Sequence, residues 1–113
     1  MKISITLPSL YPEAITRTLE NLQSTTRNEL EVIVVSPFKI DFNFHNGGRL
    51  IWIEDRKRDG CNSAHFEASK YITGDFIAGF ADDHTFVDGW DEITIDNFMR
   101  RESETVKRPY LLG

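Results

Sequence analysis

The sequence has little cysteine: Cys61 is the single one among 113 residues. One cysteine excludes a disulfide within the chain and a cluster of thiolate metal ligands from one chain. The sequence also lacks a run of about 18 to 20 apolar residues, the length of a membrane span, and its N-terminal apolar stretch is shorter than that of a signal peptide. We therefore expect a cytoplasmic protein with no membrane span and an inert thiol.

Positive charge is in the minority, since 13 Lys and Arg residues stand against 18 Asp and Glu residues and the net charge is -5. Such a chain has no general positive field to attract nucleic acid, so no nucleic-acid partner is predicted. A hydrophobic content of 40% is typical of a globular protein. The length predicts one domain, residues 1–113.

Glycine is missing where nucleotide-binding loops need it. The first apolar segment ends in Pro8-Ser9-Leu10-Tyr11, which contains no Gly and argues against a dinucleotide-binding Rossmann domain. The Gly-Lys-Ser/Thr signature of P-loop NTPases is absent from the sequence as well. A phosphoacceptor receiver domain would have an acidic pair after its first strand, where this sequence has Pro8-Ser9.

Hydrophobic periodicity predicts alternating strands and helices. Apolar residues alternate with polar ones in the first strand and recur at helical spacing after Pro12, while Gly74 is expected to end the second helix. Asp88 and Asp91 are spaced like a capping box for the last helix. The pattern predicts an α/β fold of three αβα layers around a mainly parallel, Rossmann-like sheet. The predicted strands are 3–7, 30–36, 50–54 and 75–80, and the helices begin near residues 12, 62 and 90.

Polar residues follow three of the predicted strands, at the edge of a parallel sheet where ligands bind. They are Pro8-Ser9, Ser36-Pro37 and Asp82-Asp83-His84. Paired carboxylates suit magnesium or manganese, and manganese also accepts imidazole. The alternative interpretation is a solvated turn, because Asp is a common turn former.

Three segments resemble the nucleotide-binding half of glycosyltransferases with the GT-A fold, in particular the family 2 type. They are "ISITLPSLYPEAITRTLENL", "LEVIVVS" and "GDFIAGFADDHTFVDGWD", and the resemblance covers residues 2 to 98. The first strand ends in a Pro8-Ser9 turn, Gly74-Asp75-Phe76 opens the strand before the metal motif, and Ala81-Asp82-Asp83 matches a DxD-like motif, with Gly89-Trp90 after it.

The resemblance implies a site for a nucleotide-diphosphate sugar, UDP- or GDP-linked, whose glycosyl group goes to an unknown acceptor. It implies that Asp83 contacts a divalent manganese or magnesium ion, that Asp82 lies near the sugar or ribose, and that His84 is a weaker metal ligand. The remaining nucleotide-binding candidates are Pro8, Ser9, Leu10 and Tyr11, which would wrap the base and ribose, together with Ser36, Pro37, Asp59, Gly60 and Asn62.

The sequence departs from the family pattern at three points. Ser36-Pro37 stands where members usually have a base-reading aspartate, and Ala64-His65-Phe66 replaces an Ala-Arg-Asn element, which leaves Asn62 and His65 as polar donors. The catalytic base of inverting members belongs to a later acceptor half, so no catalytic residue is assigned. The alternative is a non-catalytic, truncated GT-A-like module that binds a nucleotide or a protein and self-associates as a homodimer.

Overall fold

The computed structural model describes residues 1–45, 47–55, 60–104 and 111–112. Within these residues five strands form one sheet in the order β3-β2-β1-β4-β5, and every neighbouring pair is parallel. The strands are β1 (Lys2–Pro8), β2 (Glu29–Ser36), β3 (Arg49–Glu54), β4 (Phe76–Gly79) and β5 (Leu111–Leu112), and the helices are α1 (Pro12–Thr25), α2 (Cys61–Ser69) and α3 (Trp90–Glu104).

Helices cover both faces of this sheet, so the predicted three-layer α/β fold is confirmed. Strand residues alternate between the faces because successive side chains of a strand point to opposite sides. On one face, apolar residues of β1, β2 and β4 pack with α1 and α3, including Ile5, Leu19 and Ile95. On the other face, Ile33 and Val35 of β2 pack against α2.

The β-branched run of β2 is buried on both faces, as its uninterrupted apolar sequence predicts. In the described part of the chain, no helix is both long and apolar enough to cross a membrane. β5, which sequence analysis did not predict, adds a short parallel strand beside β4.

Gly74 does not end α2, and this prediction is wrong. The helix ends at Ser69, five residues earlier, and is capped at Lys70. Gly74 instead lies against β1, where an added Cβ would stand 2.5 Å from the Ser4 hydroxyl oxygen and 2.9 Å from the Lys2 carbonyl oxygen. The backbone of β1 therefore leaves no room for a side chain at this position.

The capping box predicted at the start of α3 does not form either. The helix begins at Trp90, so Asp88 lies two residues before it, and Asp88 pairs with the guanidinium of Arg27 at 2.7 Å. Asp91 is fully buried and accepts hydrogen bonds from the backbone N–H groups of Arg27 (3.0 Å) and Asn28 (2.8 Å). Its carboxylate also accepts the Asn28 side-chain amide at 2.7 Å. Both aspartates thus join the start of α3 to the turn between α1 and β2.

A second buried carboxylate, Glu31 on β2, lies on the α2 face near the amino end of the sheet. It accepts hydrogen bonds from the hydroxyl of Ser4 (2.9 Å) and from the backbone N–H of Thr73 (3.0 Å), and Lys2 Nζ is 3.4 Å away. Burial opposes its charge, but these hydrogen bonds and the Lys2 charge prevail, so the pKa of Glu31 lies below its ordinary value. The carboxylate therefore stays ionised inside the fold.

Replacing Asp91 tests how much the junction between α3 and β2 stabilises the fold. Asp91→Ala leaves three N–H donors without their acceptor, and we expect the free energy of unfolding to fall by about 3 kcal/mol. Asp91→Asn, which keeps one oxygen acceptor, should lose less. The exposed Asp96 on the same helix supplies the control Asp96→Ala, expected within about 0.5 kcal/mol of wild type. Urea denaturation that finds equal losses for the two alanine variants would contradict this role.

The two buried carboxylates also predict loss of stability in acid. Burial likewise opposes the charge of Asp91, but hydrogen bonds from Arg27 and Asn28 hold its pKa below the ordinary value. Because the folded-state pKa values lie below those of the unfolded chain, their contribution is complete above about pH 4 and disappears as the pH falls through the lower folded values.

Urea unfolding between about pH 7 and pH 3 measures this loss. We expect the free energy of unfolding to decline less steeply below about pH 4 in Glu31→Gln than in wild type, because the amide does not titrate. A decline of equal slope in both proteins would show that Glu31 does not contribute to it.

Candidate functional site

The candidate site lies where the chain changes direction across the sheet. From β1 the chain runs outward through β2 and β3, and it then returns to β4 on the other side of β1. Thr6 of β1 is paired with Gly79 of β4, and the Phe80 N–H donates to the Thr6 carbonyl at 3.1 Å. Beyond this point the segments that follow β1 and β4 separate and leave a crevice at the carboxyl edge of the sheet. Ligands usually bind at this position in parallel α/β folds.

Two predicted site residues meet across this crevice. The hydroxyl of Ser9 donates to Asp82 Oδ2 at 2.6 Å, a contact between residues 73 positions apart in the sequence. The same hydroxyl oxygen accepts the backbone N–H of Tyr11 at 3.2 Å, which shapes the turn after β1. Ser9 is only 5% exposed. The turn after β1 and the acidic motif after β4 are thereby held together.

A cavity of about 210 Å³ opens beside this contact. Its walls are mostly apolar, and the side chains of Leu10 and Tyr11 at its rim are 56% and 64% exposed. Gly60, which precedes α2, adopts a positive φ of +98° at the opposite wall. The cavity combines six of the predicted nucleotide-binding residues with three others; its lining is Pro8, Ser9, Leu10, Tyr11, Asp55, Gly60, Ala64, Ala81 and Asp82.

Asp83 and His84 lie on the other side of Asp82, away from this cavity. With Asp82 and four residues of α1 they line a polar groove of about 420 Å³, completed by Thr85. The Asp83 side chain is 85% exposed and has an oxygen 3.7 Å from His84 Nδ1. The same ring nitrogen lies 3.2 Å from the backbone nitrogen of Ala81. Asp83 is thus the more accessible of the two carboxylates.

The described residues around Asp82 and Asp83 do not form a complete set of metal ligands from the protein alone. Among the described residues, no group of three or more His, Cys, Asp and Glu side chains is arranged to hold a metal ion. Asp82 already accepts the Ser9 hydroxyl, whereas Asp83 faces solvent. One or two carboxylates suit magnesium, which keeps several waters and takes phosphate oxygens as further ligands. The donor set therefore fits a cation shared with a bound phosphate.

Three other predicted nucleotide-binding residues do not line the cavity. Ser36 is fully buried, and its hydroxyl donates to the Phe38 carbonyl at 2.5 Å and accepts the Trp52 indole N–H at 2.9 Å. Pro37 follows it in a half-buried position, and Asn62 is exposed on α2. Ser36, at the position that the resemblance matched to a base-reading aspartate, therefore bonds within its own loop and to β3. Asp59 lies outside the described residues.

His65, considered above as a polar donor, is directed between α2 and the sheet. Its Nδ1 atom is 2.6 Å from the Thr6 hydroxyl oxygen, and its Cε1 atom would be 3.2 Å from a Cβ added to Gly79. Burial lowers the pKa of this imidazole below its ordinary value. His65 of α2 therefore packs against the carboxyl ends of β1 and β4, next to the candidate site.

Two polar residues of α1, which sequence analysis did not single out, also belong to this region. The hydroxyl of Thr18 donates to the Asp82 carbonyl at 2.7 Å, the shorter of its two acceptor contacts; the other is the Ala14 carbonyl within α1, at 3.0 Å. The amide of Asn21 accepts the backbone N–H of Phe86 at 2.6 Å and donates to its carbonyl at 3.1 Å. Their position beside the apolar stripe of α1 is the one local sign that they face the rest of the fold. Their partners could not be predicted from local sequence, because these lie more than 60 residues away.

Comparison with solved structures finds the same fold in S. aureus TarS. The crystal structure of TarS 1–349 gives a TM-score of 0.69 at 21% identity and covers 91% of this chain but 33% of that chain. The same fragment in complex with UDP-GlcNAc gives 0.68 at 21% identity, with 91% and 32% covered. A further TarS structure gives 0.67 at 22% identity, with 92% and 20% covered.

The chain therefore spans about a third or less of the structures that it matches. No protein-family model and no curated protein matches it. TarS is a glycosyltransferase, and the likeness establishes a glycosyltransferase-like α/β fold for this chain.

The environment of His65 makes a prediction that does not depend on a ligand. Because burial disfavours the imidazolium ion, His65 should titrate below the ordinary value of about 6.5, and the fold should lose stability as the pH falls below that value. NMR titration of the ring, assigned by comparison with His65→Gln and referenced to the urea-unfolded chain, measures the pKa. A midpoint equal to that of the unfolded chain would contradict the burial argument.

Proposed function

We propose that this chain binds a nucleotide-diphosphate sugar, UDP- or GDP-linked, at the carboxyl edge of β1 and β4, as GT-A glycosyltransferases of the family 2 type do. The observation that carries the proposal is the 2.6 Å hydrogen bond between Ser9 and Asp82, which joins the turn after β1 to the acidic motif beside a cavity. The UDP-GlcNAc complex of TarS, which shares the fold, supports the ligand class.

In this proposal the base and ribose occupy the cavity beside Ser9. Its volume of about 210 Å³ is below the roughly 300–1,000 Å³ of small-molecule sites, so it would enclose only part of a nucleotide sugar. The apolar walls and the exposed ring of Tyr11 suit a flat aromatic base, while Asp82 can accept a ribose or sugar hydroxyl through its oxygen that does not bind Ser9.

The diphosphate would then lie near Asp83. A diphosphate beside two carboxylates is repelled unless a cation lies between them, and the exposed Asp83 oxygens are available to such an ion. We propose that Asp83 is the principal ligand of a manganese or magnesium ion, with His84 as a weaker one. The ion would neutralise the charge of the diphosphate leaving group during glycosyl transfer.

The proposed reaction is glycosyl transfer to an unidentified acceptor, in the cytoplasm, a location that the single cysteine supports. No catalytic base is assigned to the described residues. The second candidate is a non-catalytic module that binds a nucleotide or a protein and self-associates as a homodimer. It is favoured by exposed apolar side chains such as Phe66 and Ile93.

Calorimetric titration of UDP, GDP, UDP-GlcNAc and GDP-mannose into the chain, with manganese or with a chelator, tests the proposal. We expect binding in the micromolar range with manganese, and a loss of about 10-fold or more on chelation or in Asp83→Asn, because each removes the link between carboxylate and diphosphate. Asp96→Asn, a matched change at an exposed aspartate of α3, should bind like wild type.

Two other outcomes of this titration would contradict all or part of the proposal. If no nucleotide binds with or without manganese, while circular dichroism shows a folded chain, the nucleotide-sugar proposal is wrong. Binding that is insensitive to both the chelator and Asp83→Asn would retain the nucleotide but remove the metal from the proposal.

A further inference from the structure

The loop that carries Asp82 and Asp83 is held by side chains of α1. We call residues 82–86 the acidic loop. At its first residue, the Asp82 carbonyl accepts the hydroxyl of Thr18 at 2.7 Å. At its last residue, the Phe86 backbone N–H and carbonyl both pair with the amide of Asn21, at 2.6 Å and 3.1 Å. The acidic loop is therefore fixed at both ends by one helix.

Thr18 and Asn21 are three residues apart, so they lie on the same side of α1 and form neighbouring attachment points. Asp83, His84 and Thr85 connect these two points and form the exposed part of the acidic loop. Because a three-residue connection between fixed ends has few conformations, the two α1 side chains restrict where the Asp83 carboxylate can lie.

The attachment points lie on a helix that is packed against the sheet. Thr18 is only 3% exposed, and the adjacent α1 residues Ile15, Leu19 and Leu22 are fully buried against the sheet. At the other end of the acidic loop, the Phe86 ring packs with Trp90, their centroids 4.9 Å apart. Movements of the loop relative to the sheet would thus require breaking either the α1 hydrogen bonds or this aromatic contact.

The choice of residues in α1 agrees with a role outside the helix. Threonine and asparagine are poorer helix formers than alanine or leucine, and they stand in the interior of a 14-residue helix. The Asn21 amide oxygen accepts the Phe86 N–H, and its nitrogen donates to the Phe86 carbonyl. The backbone of a neighbouring strand would pair with Phe86 through the same two types of bond. A residue that served only the helix would not need this donor and acceptor pair.

We propose that Thr18 and Asn21 are positioning residues, which set the acidic loop so that Asp83 meets the diphosphate of a ligand that extends from the cavity beside Ser9 past Asp82 into the polar groove. This inference rests on the proposed function and adds that the affinity for the diphosphate part is determined by α1. Neither residue needs to touch the ligand for this effect.

The experiment compares four variants with wild type. Asn21→Ala and Thr18→Val remove the attachments, and Thr18→Ser keeps the hydroxyl. Thr16→Val is the matched control, because the Thr16 hydroxyl bonds the Pro12 carbonyl within α1, as Thr18 bonds Ala14, but makes no bond to the acidic loop. Dissociation constants are measured for UDP-GlcNAc and GDP-mannose with manganese, and for UMP and GMP, which lack the second phosphate and the sugar. Amide exchange of residues 83–86 and thermal unfolding are followed in the same proteins.

We expect Asn21→Ala and Thr18→Val to weaken the binding of the nucleotide sugar by about 10-fold, which is the lower end for loss of a residue that orients a ligand group. The dissociation constant of the monophosphate should stay within about twofold of the wild-type value. Exchange in residues 83–86 should rise in both variants. Thr18→Ser should restore the affinity, and Thr16→Val should leave it unchanged.

Each alternative outcome has a separate meaning. A wild-type chain that binds none of these nucleotides overturns the proposed function and this inference with it. Wild-type binding with unchanged affinity in Asn21→Ala and Thr18→Val overturns this inference alone. If both variants weaken the binding of the nucleotide sugar and of the monophosphate equally, the inference is also overturned, since that pattern indicates general destabilisation of the fold. If Asn21→Ala does not fold, the comparison of Thr18→Val with Thr18→Ser decides.

Discussion

The parallel pairing of β1 with both β2 and β4 is the constraint on which the candidate site depends. Because the chain leaves β1 in one direction and returns on its other side, the segments after Pro8 and Gly79 emerge next to each other and then diverge. Only this arrangement allows the Ser9 hydroxyl to reach Asp82 across 73 positions of sequence. The cavity, its apolar rim and the neighbouring polar groove are all arranged around that contact.

Four of the described acidic residues have three different physical roles, set by what surrounds each carboxylate. Glu31 and Asp91 are fully buried and supplied with N–H and O–H donors, so they remain ionised and join distant segments. Asp82 shares one oxygen with a hydroxyl at the edge of a cavity. Asp83 is 85% exposed and its oxygens are open to an ion or ligand. Negative charge in the sequence therefore marks both structural junctions and the candidate site.

The sequence predicted the fold more completely than the site. Alternation in β1 and the apolar run of β2 are local signals, and they identified the strands, while the acidic motif after β4 was correctly expected at the sheet edge beside Ser9. The role of Asp91 was missed because a capping box and a buried acceptor for distant N–H groups have the same local spacing. Likewise, local sequence does not show that Ser36 bonds Trp52, 16 residues ahead, or that Asn21 bonds Phe86.

The contacts between α1 and the acidic loop also bear on the order in which the molecule acquires its shape. They join residues 64 and 65 positions apart, whereas β1, α1 and β2 form one continuous stretch near the N-terminus. Closing such long loops is entropically unfavourable until other contacts reward it. We therefore expect β1, α1 and β2, which are contiguous in the sequence, to form their contacts before the acidic loop does. The crevice needs the distant segment through Phe86 to dock on α1, so we expect the site to form late in folding.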